Sequence, residues 1–149
     1  MRRFLFVAAA AALAIWYLRR KPAETVTLSG NASPAAAGPG CITEVENANR
    51  LLADAARVLM SPPVNESTWN DAESRTTQAI SRAESACSGG DTEAERAGLA
   101  DARDALYLIR TTLSEAATAA RGGGGFQGAV RQEQIDRRID TAKHKLGLR

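Results

Sequence analysis

Apolar residues in the middle of the chain recur at alternating three- and four-residue steps, the spacing that lines one face of a helix. Ile42, Val45, Asn49, Leu52, Ala56 and Leu59 form the first such seam, with Asn49 as its one polar member. Thr43-Glu44-Val45-Glu46 has the form of a capping box at its start, and Pro62-Pro63 ends it. A second helix restarts at Asn65 or Ser67 and runs through Trp69, Ala72 or Glu73, Thr76, Ile80, Ala83 and Cys87 to a stop at Ser88-Gly89-Gly90. A third opens at Asp91 or Thr92 with another capping box, Thr92-Glu93-Ala94-Glu95. Its seam is the most regular of all: Leu99, Ala102, Leu106, Ile109, Leu113, Ala116 and Ala120. Beyond a glycine-rich break at 122–128, Val130, Ile135, Ile139, Ala142 and Leu146 are spaced for one face of a last helix within 129–149. No β-branched run alternates with polar residues. The fold class predicted is all-α, an antiparallel bundle of three helices over 41–121 with a basic carboxyl-terminal helix appended.

The amino-terminal pattern is different in kind. Phe4 to Leu18 is uninterruptedly apolar, between Met1-Arg2-Arg3 and Arg19-Arg20-Lys21. As a helix those residues would span roughly 22 Å, short of a hydrocarbon core of about 30 Å. Snorkelling arginines and the interfacial pair Trp16-Tyr17 narrow the gap. The positions after the apolar stretch are too bulky for signal cleavage, so 1–21 reads as a retained anchor, with secretion after cleavage as the alternative. Pro22 to Gly40 has no amphipathic period and is rich in Pro, Ala, Gly, Ser and Thr, the composition of a tether.

Composition changes this picture in two places. The chain of 149 residues has a formal net charge of +2, but that figure is a sum of opposed blocks. The amino terminus is basic, 41–121 is acidic by about five charges, and the last stretch is basic by about three. The two cysteines, Cys41 and Cys87, stand at the far ends of the first two helical segments. Doubling back at Pro62-Pro63 brings them side by side, so a structural disulfide is expected ahead of free thiols or an intermolecular bridge. Such a pair suits an oxidising compartment and places the body outside the cytoplasm, at the cell exterior or, if the cell is bacterial, in the periplasm. Many seam positions are alanine, which makes the core thin and a covalent staple correspondingly important.

Candidate chemistry is sparse. His144, the only histidine, lies on the polar side of the last helix one turn after Asp140, with no nucleophile beside it. No Cys/His set has zinc spacing, and the cysteines are too far apart for a redox pair, so no metal, cofactor or catalytic residue is expected. Gly122-Gly123-Gly124-Gly125 lacks the Lys-Ser/Thr of a phosphate loop and reads as a linker. Acids and bases four apart, such as Glu46 with Arg50, Asp71 with Arg75 and Glu133 with Arg137, decorate solvent faces. Trp69 and Tyr107 are expected as core anchors. Arg131, Arg137, Arg138, Lys143 and Lys145 make the last helix basic, suited to pack on the acidic body or to engage an anionic lipid or cell-wall polymer. Nucleic acid is the poorest candidate, because no aromatic residues interleave with those cations.

The expectation is therefore a non-catalytic protein, tethered to the membrane through residues 4–18, that works by protein contact as an envelope assembly or adaptor component. No motif marks a family. In outline, the order of anchor, exterior helical body and cysteines resembles the layout of phage inner-membrane spanins, whose long rod the Pro-Pro turn and glycine breaks depart from.

Overall fold

The computed structural model describes residues 37–148. The anchor expected at 1–21 and most of the tether lie outside them. Four helices follow one another: α1 (Ala37–Leu59), α2 (Glu66–Ala86), α3 (Glu93–Ala120) and α4 (Gly128–Lys145). Among the described residues there is no strand. No described helix is long and apolar enough to cross a membrane.

Each helix is antiparallel to the next, as cross-helix pairs show. Cys41 at the start of α1 meets Cys87 at the end of α2, and Glu84 of α2 meets Arg110 of α3. Glu115 late in α3 meets Arg131 early in α4, and Lys143 late in α4 returns to Glu46 of α1. α1 and α3 run side by side through the centre, with α2 and α4 flanking them on opposite sides. The core runs between them through Val45, Leu52, Trp69, Ile80, Leu99, Leu106, Ile109, Ile135 and Ile139.

The local signals act as their chemistry requires. Asn65 caps α2, its side-chain oxygen accepting from the Ser67 and Thr68 backbone N–H groups at 3.0 and 3.2 Å. Thr92 and Glu95 form the reciprocal capping box of α3. α3 ends where Gly122 takes a positive φ of 83°, and the Gly123 N–H donates to the Thr118 carbonyl. The glycines thus form a hydrogen-bonded stop, and the break that follows is not featureless: Phe126 packs half-buried against the core.

Two boundaries differ from expectation. α1 begins at Ala37 and takes in the last four residues read as tether. Thr43 is therefore inside the helix, its hydroxyl donating to the Pro39 carbonyl, and the capping box with Glu46 does not form. Pro39 is tolerated because the first helical turn needs no N–H. The early start is supported from afar: the Leu146 side chain lies over buried Gly38, 3.0 Å from where a Cβ would stand.

The same leucine explains Gly98. A Cβ on Gly98 would lie 2.5 Å from Leu146 Cγ. Gly38 and Gly98 form a notch, and Leu146 fills it, docking the end of α4 between the starts of α1 and α3.

Candidate functional site

The sulfur atoms of Cys41 and Cys87 are 1.99 Å apart, with Cα atoms 4.6 Å apart, and both residues are fully buried. They join the first turns of α1 to the cap of α2, as their spacing predicts. One partner was not legible beforehand. Arg103 of α3 donates from Nε and Nη2 to the Cys87 carbonyl at 3.1 and 2.7 Å, so the staple is tied to the third helix as well.

The basic residues of α4 are all engaged with carboxylates. Arg131 pairs with Glu115 at 3.0 Å, and Arg137 with Glu133 on its own helix. Arg138 reaches Asp101 and Asp104, and Lys145 also reaches Asp101. Lys143 crosses to Glu46, whose carboxylate raises its pKa above the ordinary lysine value. Asp101 is only 6% exposed and accepts from two cations, the one well-buried carboxylate among the described residues. Glu46 thus pairs across helices and not with Arg50, whereas Asp71 does meet Arg75 at 2.6 Å.

These pairs sort the charge of α4 by flank. Arg131, Arg138 and Lys145 face α3, while Gln132, Asp136, Asp140 and Lys143 face α1. Composition makes this helix basic, but its α1 side carries carboxylates.

α1 and α4 meet over the least surface of any neighbouring pair, and an open groove runs between them. Its first half, about 430 Å³, is polar: Glu46, Asn49, Arg50, Gln132, Asp136, Asp140 and Lys143 over a floor of Ile139. Asn49 Nδ2 donates to Asp136 Oδ1 at 2.9 Å, and Gln132 Nε2 donates to Asn49 Oδ1 at 2.8 Å. Asn49 therefore sits half-buried on the flank of the α1 seam, and Ala48 takes the core position beside it. Asn49 is thus bonded to α4 through both its amide nitrogen and its oxygen. The second half, about 230 Å³, is apolar, lined by Leu52, Ala53, Ala56, Met60, Phe126 and Ala129. Met60 there is 71% exposed.

Other candidates fall elsewhere. Trp69 is a core anchor, its indole N–H donating to Glu73 Oε2 at 3.0 Å. Tyr107 is not: it is 70% exposed beside Arg103 and Arg110. It follows Leu106 in the seam by one residue, and a rotation of about 100° carries it out of the core. Val130 is exposed for a related reason, since five residues before Ile135 is about 1.4 turns and returns it to the far side of α4. His144 is exposed. Among the described residues no three His, Cys, Asp or Glu side chains converge as a metal would require.

Comparison with known proteins finds no matching family model, no matching curated relative and no matching solved structure.

Proposed function

We propose that this chain is a membrane-tethered contact protein of the cell envelope, with its disulfide-stapled bundle on the oxidising side and the α1/α4 groove as the face it offers to a protein partner. The observation that carries this reading is the groove itself. It joins an apolar end at Met60 and Phe126 to a polar end whose Arg50 and Asp140 form no ion pair among the described residues. An apolar patch beside polar groups and charges without an ion-pair partner is a combination that specific protein contacts use. The apolar stretch 4–18 between cationic clusters supports the tether, and the buried cysteine pair supports the compartment.

The alternative, binding of anionic lipid or wall polymer through residues 129–149, finds less support. Arg131, Arg137, Arg138, Lys143 and Lys145 already hold carboxylates, and a polyanion has to compete with each.

The test is cross-linking and capture from oxidised membranes, comparing the native chain with Met60→Asp. Recovery of a partner that the substitution abolishes supports the reading; capture unchanged by it, or nothing above background, rejects it. Alkaline extraction of the same membranes reads the anchor separately.

A further inference from the structure

The groove is self-complementary, and from this we infer that its partner is a second copy of this chain, related by a two-fold axis parallel to the helices. The inference deepens the contact reading of the groove by naming the occupant.

Residue levels follow from the pairs already described. α1 and α4 are antiparallel, with Glu46 level with Lys143, and Asn49 level with Gln132 and Asp136. In the polar half the α1 lip carries Glu46 and Arg50, and the α4 lip carries Asp136, Asp140 and Lys143; Glu46 and Lys143 pair with each other, which leaves Arg50 opposite Asp136 and Asp140. Arg50 is exposed, and its guanidinium is bonded only to the Asn47 side-chain oxygen among the described residues, at 2.8 Å. At the level of Arg50 the α1 lip is positive and the α4 lip negative, on opposite sides of one opening, next to the Glu46–Lys143 pair that already spans it.

A two-fold axis along the groove swaps the lips while keeping every height. The second copy's Arg50 then faces Asp136 and Asp140, twice over by symmetry, and its Met60 meets the apolar half around Ala56, Phe126 and Ala129. An axis perpendicular to the helices would instead set the polar half against the apolar half. The parallel arrangement also places both Ala37 starts at one end, which suits two chains tethered to one membrane.

Size sets the strength. A face two helices wide, about 20 Å, and roughly 27 Å long covers some 500–600 Å² per copy, the lower limit of specific interfaces. The dimer is therefore weak in solution, and co-tethering in a membrane raises its occupancy through effective concentration.

The experiment is sedimentation of the full chain in detergent micelles over a concentration series, with circular dichroism as the control for folding. Arg50 and Asp140 are both exposed, so substituting them leaves the core intact. The native chain is expected to move from monomer to dimer. Arg50→Glu and Asp140→Arg each weaken the dimer by about tenfold or more, and the double variant recovers most of that loss because the charges are exchanged. A native chain that stays monomeric throughout overturns the proposal, as does a dimer indifferent to either substitution or a double variant with no recovery. A monomeric chain that still captures a different protein, and loses it with Met60→Asp, also overturns self-association while leaving the contact reading standing.

Discussion

Gly98 carries no side-chain carbon where Leu146 crosses it, and its replacement separates two opposing effects. Alanine is the better helix former by about 1 kcal/mol. Here its Cβ would lie 2.5 Å from Leu146 Cγ and 3.3 Å from the Ala142 carbonyl, so α4 must move or strain. Overpacking of this kind costs about 1–3 kcal/mol and outweighs propensity. Gly98→Ala should lower the thermal midpoint, and adding Leu146→Ala should make the alanine at 98 better tolerated than it is alone. Asp101 is the other singular side chain. Asp101→Asn removes the shared acceptor of Arg138 and Lys145, but both cations are about half exposed and regain water. The expected loss is about 1–2 kcal/mol, less than for a fully buried pair. Chemical denaturation of the variant checks it; an unchanged midpoint would show that the pair is ornamental.

The helices differ in how far their own residues specify them. α3 matches its periodic pattern because three neighbours cover it, and every seam residue from Leu99 to Ala116 is buried. α1 is partly specified elsewhere: its first turn depends on Leu146, more than a hundred residues away. The caps also differ in their response to pH. Hydrogen bonds from the Thr92 backbone, then its hydroxyl, and from the Asp91 backbone hold the Glu95 carboxyl below its usual range. A lowered pKa means the contribution is present above the ordinary carboxyl value and is lost as pH falls through the folded one. Lys143 works in the opposite sense: its hydrogen bond to Glu46 raises its pKa, so the contribution is full below the ordinary lysine value and disappears as pH rises beyond it. Glu95→Gln should therefore flatten the acid limb of a stability profile, and Lys143→Gln the alkaline limb, each leaving the other limb unchanged.

For the bundle as a body, the covalent staple matters more than any single contact. Closing a separation of 46 residues stabilises by about 4 kcal/mol in the chain-entropy model, a large share of a small domain's total. Reduction, or Cys41→Ser with Cys87→Ser, should lower the denaturant midpoint by a corresponding amount. Because both sulfurs are fully buried, reduction of the folded chain should be slow and should quicken with added denaturant. Mass mapping of thiol-labelled samples follows that rate directly.

The helical periods, the Pro-Pro reversal, the capping box at Thr92 and the meeting of the two cysteines were all legible in the linear order of residues, and the cap of α2 was narrowed to Asn65 or Ser67. They depend on near neighbours, or on a hairpin whose arms have equal length. The order of residues alone did not decide which cation meets which acid across helices, that α4 carries opposite charge on its two flanks, or that Tyr107 and Val130 face outward. Nor did it reveal the groove between α1 and α4. Those outcomes turn on the rotation of each helix about its own axis, which is set only when Leu146 enters the notch of Gly38 and Gly98 and Asn49 bonds across to Asp136. A periodic pattern says that a helix has an inner face; its neighbours decide where that face points.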